Sequence, residues 1–221
     1  MNDLGENLLR FKKNQKYLVM DYETESLNLF QNTPWQLGYQ IYHGSDLILD
    51  REEWIKWEHK FTISRDAARI THFTWEKYNQ RATDATKIRD EFEKYLYDEE
   101  YIVIGANLFG FDIYVDNIYR KLLGRPADYS FLHRTVCVQV LHKAIELKVK
   151  PPKIGSPEWK SFCYRMQSFH QRGFKSSLQH LAGVNDVEYK KELHHVSSSY
   201  DSKLTKDVFD KELWKIELES I

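Results

Sequence analysis

The stretch YLVMDYETESLN, from Tyr17 to Asn28, constrains the fold most, because an apolar run ends there in two acids. The run predicts a buried β-strand over Tyr17 to Tyr22, followed by a polar turn. Asp21 and Glu23 lie two positions apart, so their side chains project from the same face of an extended strand. Two carboxylates at the end of a buried strand either share a cation or belong to a solvated turn. This stretch alone leaves both interpretations open.

The order of the remaining elements predicts an α/β fold, a mixed β-sheet flanked by α-helices on both faces. A second strand is predicted within WQLGYQIYHG, with DLILD as its hairpin partner, and a further strand in YIVIGAN. Early strands followed by strands that alternate with helices are typical of this architecture. The length of 221 residues fits a single domain over residues 1–221.

The helices are predicted from the spacing of apolar residues. By this criterion residues 63–100 contain two helical pieces, and another helix follows YIVIGAN and ends near Gly124. Residues 136–147 fit either a strand or a helix, and their length favours the helix. A short helix capped by Ser176 or Ser177 and a terminal helix within residues 200–220 complete the pattern.

Composition argues against several classes of protein. A formal net charge of −1 does not fit a protein that coats duplex DNA through many phosphate contacts. Cys137 and Cys163 match neither a zinc spacing nor a disulfide framework, and the N-terminus is too polar for a secretory signal. We therefore expect a cytoplasmic protein. No apolar run approaches the roughly 20 residues that cross a bilayer, so we expect no membrane role.

Other acids stand near predicted helix starts. Asp112 opens a helix directly after a strand, where the helix dipole favours an acid even without a metal. Asp116 lies one turn later on the same helix face, and we expect it to be solvated. Asp201 lies near the start of the terminal helix and has the same capping explanation. His194 and His195 precede it in a polar segment and are either solvated side chains or a base.

Taken together, these motifs resemble the DEDD superfamily of 3′-5′ exonucleases, the DnaQ-like group on the ribonuclease-H-like fold. VMDYETESLN resembles the first family motif, ANLFGFD the second and YDSKLTKDVF the third, in the family's order. SSLQHLAGV is similar to the short helix that precedes the third motif. The resemblance covers the chain from about Lys16 onward.

The resemblance implies a metal-dependent reaction at a terminal phosphodiester. Two Mg²⁺ or Mn²⁺ ions would be held by four acids, Asp21, Glu23, Asp112 and Asp201. Thr24 and Asn107 match family positions that contact the terminal nucleotide. The implied products are nucleoside 5′-monophosphates released from single-stranded 3′ ends.

The general base is where the sequence departs from the family pattern. In the family's histidine subclass four residues usually separate the histidine from the last aspartate. Five residues separate His195 from Asp201, and Val196 stands at the expected position. We predict His195 as the base, with His194 as the alternative, because a loop absorbs an extra residue. The tyrosine subclass is disfavoured, because no aspartate lies four residues after Tyr200.

A basic insert over residues 148–175 and an N-terminal extension over residues 1–15 are further departures. The insert and its approach are rich in lysine and arginine, including Lys143, Lys160, Arg165 and Arg172. This charge fits equally a solvated loop or a contact with a phosphate backbone. Phe30, Trp35, Phe109 and Phe111 lie near the motifs, where they either stack on bases or belong to the core.

The leading functional interpretation is a 3′-5′ exonuclease acting on single-stranded DNA ends, in proofreading or repair. One alternative is an RNA-trimming exoribonuclease similar to ribonuclease T or oligoribonuclease, since the sequence does not show how the 2′-hydroxyl is treated. Another is a catalytically inactive module that binds nucleic-acid ends. A polymerase partner and a homodimer are both compatible with the sequence.

Overall fold

A six-stranded mixed β-sheet lies at the centre of the computed structural model, which describes residues 7–30 and 32–220. The strands are β1 (Lys16–Thr24), β2 (Pro34–His43), β3 (Asp46–Lys56), β4 (Thr83–Asp84), β5 (Tyr101–Gly105) and β6 (Thr135–Cys137). Their spatial order is β4-β3-β2-β1-β5-β6. β1, β5 and β6 run parallel, whereas β2 is antiparallel to both β1 and β3. The carboxyl ends of the three parallel strands therefore meet at one edge of the sheet.

Helices cover both faces of the sheet, as the sequence predicts. They are α1 (Arg65–Thr71), α2 (Trp75–Arg81), α3 (Ala85–Leu96), α4 (Asp112–Leu122), α5 (Val138–Glu146), α6 (Pro157–Gln167), α7 (Leu178–Val184) and α8 (Ser198–Glu212). The ring of Tyr22 packs against Phe92 of α3, whereas the ring of Tyr17 packs against Phe209 of α8. β1 is thus covered on both faces, which explains its continuous apolar run.

Side-chain caps determine where several helices begin. Ser64, Thr74, Asp84, Ser177 and Ser197 each accept a hydrogen bond from the backbone N–H three residues further on. The prediction of two helical pieces over residues 63–100 is therefore wrong. The region forms three helices, α1, α2 and α3, each of which begins after its own side-chain N-cap. The cap at Ser177 is one of the two positions predicted.

Two further segments differ from the sequence prediction. Residues 136–147 are not helical throughout, because Val136 and Cys137 end β6 and the helix starts at Val138. The insert 148–175 is not simply a solvated loop, because it contains α6. That helix buries one face, formed by Trp159, Phe162, Cys163 and Met166.

The two ends of the described chain pair with each other. The predicted N-terminal extension begins outside the described residues, and from residue 7 onward it contacts the C-terminal segment. The Leu9 N–H donates to the Leu218 carbonyl (2.8 Å), and the Ser220 N–H donates to the Asn7 carbonyl (3.0 Å). No helix within the described residues combines the length and the apolar character needed to cross a bilayer.

Candidate active site

A cavity of about 600 Å³ opens at the sheet edge where the parallel strands end. β1 supplies Asp21, Glu23 and Thr24 at this edge, and the turn after β5 supplies Asn107. Asp112 begins α4, and Asp201 lies in the first turn of α8. The cavity is lined by every predicted site residue and by the alternative base: Asp21, Glu23, Thr24, Asn107, Asp112, His194, His195 and Asp201.

Three of the acids form a tight cluster. Carboxylate oxygens of Asp21, Glu23 and Asp201 all lie within 4.8 Å of one another. Asp21 and Glu23 share one face of β1, and α8 brings Asp201 to that face from the other end of the chain. A set of oxygen donors this close fits a hard divalent cation such as Mg²⁺ or Mn²⁺.

Gly38 allows α8 to reach this position. Gly38 lies on β2 opposite Asp21. A Cβ atom at Gly38 would stand 2.3 Å from the backbone carbon of Ser198, closer than real Cβ contacts come. Only a glycine lets the first turn of α8 pack this closely on the sheet, and Asp201 lies in that turn.

Asp112 stands outside the tight cluster and contacts the backbone of β1. Its side chain is 2% exposed, and its Oδ1 accepts a hydrogen bond from the Tyr22 N–H at 3.1 Å. Burial raises the pKa of Asp112 to about 7, although backbone hydrogen bonds, including that from Tyr22, oppose the rise. The hydrogen bond links Asp112 to the strand residue between Asp21 and Glu23.

The acids act on one another electrostatically. Burial raises the pKa of Asp21 well above its ordinary value, and the negative charges of Asp112, Asp201 and Glu23 raise it further. Burial likewise raises the pKa of Glu23, with contributions from Asp201 and Asp112. Asp112 therefore belongs to the same electrostatic group although it stands outside the tight cluster.

Both histidines contact Asp201, in different ways. The Nδ1 atom of His194 lies 2.7 Å from Oδ1 of Asp201, whereas His195 donates its backbone N–H to Oδ2 at 2.8 Å. His195 has a left-handed backbone (φ 62°), and its side chain is 50% exposed. Burial lowers the pKa of His195, as does neighbouring His194, while Asp201 opposes the change. A lowered pKa keeps the imidazole neutral near pH 7.

The two predicted nucleotide contacts are held by neighbouring groups. The Thr24 hydroxyl donates to the Ser26 carbonyl at 2.6 Å. Asn107 has a left-handed backbone (φ 58°), and its Oδ1 accepts a hydrogen bond from Nε2 of Gln167 at 2.8 Å. A residue of the insert therefore positions Asn107 at the cavity wall.

The expectation that Asp116 is solvated is wrong. Asp116 is 1% exposed and pairs with Arg89, which is itself fully buried. The Tyr22 hydroxyl donates to Oδ1 of Asp116 at 3.0 Å. Asp116 therefore holds the Tyr22 side chain of β1 through this hydrogen bond, and it is not among the residues that line the cavity.

Sequence reasoning missed much of the cavity wall. One side is formed by α1 through Ala67, Ile70 and Thr71, and Gln139 lines the floor after β6. These three α1 residues have i, i+3, i+4 spacing, which predicts that they lie on one face of a helix. Among the candidate aromatics, Trp35 and Phe109 are buried, Phe30 is 95% exposed, and Phe111 lines the cavity.

The strand order and the position of the cavity define a ribonuclease-H-like α/β fold, which confirms the predicted fold class. No protein-family model matches the chain, and no curated protein matches it in sequence. The chain is similar in structure to E. coli exonuclease I in complex with a dT13 oligonucleotide, with a TM-score of 0.67, 15% identity and coverage of 92% of this chain.

Two further structures of exonuclease I give the same result. The zinc-bound form of the E. coli enzyme with single-stranded DNA has a TM-score of 0.68 and 13% identity over 91% of this chain. The structure with SSB and the inhibitor CFAM has a TM-score of 0.66 and 14% identity over 91% of this chain. The chain spans only 40–42% of the exonuclease I chains it matches. At this identity the similarity establishes the fold.

Proposed function

We propose that the chain is a metal-dependent 3′-5′ exonuclease of the DEDD type that removes nucleoside 5′-monophosphates from single-stranded DNA ends. One observation carries the proposal: Asp21, Glu23, Asp112 and Asp201 come from three distant parts of the chain and line one cavity. Four acids around one cavity are costly unless cations balance them.

The donor set fits two Mg²⁺ or Mn²⁺ ions. Asp21, Glu23 and Asp201 supply oxygen ligands from the tight cluster, and Asp112 supplies a further carboxylate at the cavity wall. When bound, such ions activate a water and offset the charge that develops on the leaving 3′ oxygen. The zinc-bound form of exonuclease I supports a divalent cation at this kind of fold.

His195 is proposed as the general base, with His194 as the alternative. The ring of His195 lines the cavity and lies beside Asp201, its Nδ1 3.9 Å from Oδ2. A neutral imidazole there accepts the proton of the attacking water. His194 would act through Nε2, because its Nδ1 faces Asp201.

Single-stranded DNA is the proposed substrate, and Thr24 and Asn107 are proposed to contact its last nucleotide. The dT13 complex of exonuclease I supports DNA as the ligand class. Leu27 and Ile70 offer apolar surface at the cavity, where an unpaired base can lie. Roles in proofreading or repair, and a polymerase partner or a homodimer, are consistent with this substrate.

A single-stranded DNA oligonucleotide labelled at its 5′ end tests the proposal. We expect shortening from the 3′ end with Mg²⁺ or Mn²⁺, and loss of activity with EDTA or in Asp21→Ala. Glu146→Ala is the matched control, because Glu146 is exposed at the end of α5 and lines neither this cavity nor its neighbour. Internal fragments, or equal cutting by Asp21→Ala, would contradict the mechanism.

The same assay separates the alternatives. Faster shortening of a matched RNA oligonucleotide would favour the exoribonuclease. Binding of the oligonucleotide without cutting, together with no carboxylate-dependent heat on titration with Mn²⁺, would favour an inactive end-binding module.

A further inference from the structure

A second cavity, of about 470 Å³, adjoins the candidate active site. Asn107 and Gln139 line both cavities, so the two are neighbours across these side chains. The other walls come from α5, from the last residue of α6 and from the segment that follows α6. The lining of the second cavity also includes Lys143, Gln167, Phe169, His170, Arg172 and Phe174.

The two cavities differ in charge. The ionisable residues that line the second cavity are Lys143, His170 and Arg172, with no carboxylate among its lining residues in the described chain. The first cavity contains the acid cluster. One cavity is thus suited to cations and its neighbour to anions, as expected where a phosphate chain passes next to a metal centre.

Lys143 is a buried cation whose partners are neutral. The residue is 4% exposed, and its Nζ donates to the carbonyls of Gln167 (2.8 Å) and Phe169 (3.1 Å). Within residues 7–30 and 32–220 it forms no ion pair with a carboxylate. An ammonium has three donors, so one remains for an anion in the cavity. A buried charge of this kind is stabilised by an anionic ligand.

A hydrogen bond from the insert also links the walls of the two cavities. Gln167, the last residue of α6, lines the second cavity and donates to Oδ1 of Asn107 in the first. A Cβ atom at Gly110 would lie 2.4 Å from that Asn107 oxygen, so the pair is tightly enclosed. A ligand spanning both cavities would contact this shared wall.

We propose that the second cavity binds the phosphodiester backbone of the substrate strand on the 5′ side of the cleaved bond. Arg172 and Lys143 contact phosphate oxygens, and Phe169 and Phe174 offer rings for stacking. The ligand class is a single-stranded nucleic acid longer than two nucleotides. This inference rests on the proposed exonuclease function, because it assumes that the 3′ end lies in the acid-lined cavity.

Equilibrium binding separates this inference from the function itself. Fluorescence anisotropy is measured with labelled DNA and RNA of two and six nucleotides, in an Asp21→Asn background so that nothing is cut. Arg172→Ala should weaken binding of the six-nucleotide strands several-fold and reduce the slope of log K against log salt by about 0.7, the value for one phosphate on a single strand. Binding of the dinucleotide should not change.

Arg165→Ala is the control, because Arg165 is an exposed arginine of the same insert that lines neither cavity. It removes the same charge and should leave both strands bound as before. Equal losses from the two variants, or an equal loss for the dinucleotide, would overturn the inference. Absence of cutting by the unmodified chain would refute the proposed function and leave the binding result to decide this inference. If Arg172→Ala weakens DNA and RNA binding alike, the ligand is the phosphate backbone that both share. If it weakens the binding of only one, the cavity is selective for that nucleic acid.

Discussion

Replacing Asp112 with asparagine should stabilise the metal-free protein, although the residue is a proposed metal ligand. Asp112 is buried, and its Oδ1 accepts the Tyr22 N–H. An asparagine has nearly the same shape and can offer its own Oδ1 to that donor. The substitution therefore removes a charge while preserving the local packing and the hydrogen bond.

The magnitude follows from the raised pKa. Burial raises the pKa of Asp112 to about 7 in the folded protein, from an ordinary value of 3.8. Between these values the folded state holds a proton that the unfolded chain releases, so stability falls as pH rises from about 4 to 7. The raised pKa lies about three units above the ordinary one, so ionisation of Asp112 lowers the free energy of unfolding by about 4 kcal/mol at pH 7. Asparagine does not titrate, so Asp112→Asn should recover that free energy, raising Tm by roughly 8–16 °C.

Thermal unfolding in EDTA measures this effect. At pH 7 the variant should melt above the unmodified protein, and at pH 5 the difference should shrink to about 2 kcal/mol because Asp112 is then protonated in the folded state. Added Mn²⁺ should raise the Tm of the unmodified protein and have much less effect on the variant. A lower Tm for Asp112→Asn in EDTA at pH 7 would refute the electrostatic reasoning.

Three further predictions concern other parts of the site. Asp116→Ala should destabilise the protein by about 3 kcal/mol in chemical denaturation, because the buried Arg89 loses its bidentate carboxylate and keeps only Glu93 as a charged partner; a loss below about 1 kcal/mol would contradict this. Gly38→Ala should displace α8 and weaken Mn²⁺ binding at least tenfold by calorimetry, with unchanged affinity as the opposing result. His195→Asn should cut turnover about 100-fold or more with little change in Tm, since asparagine tolerates a left-handed backbone. If His194→Asn shows the larger loss of turnover, then His194 is the base.

The sequence predicted the strand that carries Asp21 and Glu23 because alternation on a strand is a local property. It did not by itself bring Asp201 to that strand, since this depends on the close approach of α8 at Gly38, a contact between distant segments. That convergence was expected only through the family resemblance.

The errors have similar causes. Asp116 was expected to be solvated, whereas it pairs with Arg89. The two residues are 27 positions apart, so the local sequence around Asp116 does not predict the ion pair. The left-handed backbone of His195 accompanies its contact with Asp201, six residues further along the chain, and the local sequence does not predict it. α6 is different, because Trp159, Phe162, Cys163 and Met166 recur at helical spacing and predict a helix, although the basic composition of the surrounding insert favours a loop.

The hydrogen bond between Gln167 and Asn107 has a consequence for shortening the chain. Removing residues 150–175 would delete more than a charged surface, because Asn107 would lose the side chain that fixes its amide at the end of β5. It would also uncover the apolar surface on which Trp159 and Phe162 pack. Substitutions that change charge on the outer face of α6 should be tolerated. A deletion that displaces Gln167 breaks its hydrogen bond to Asn107 and so changes the cavity wall next to the acid cluster.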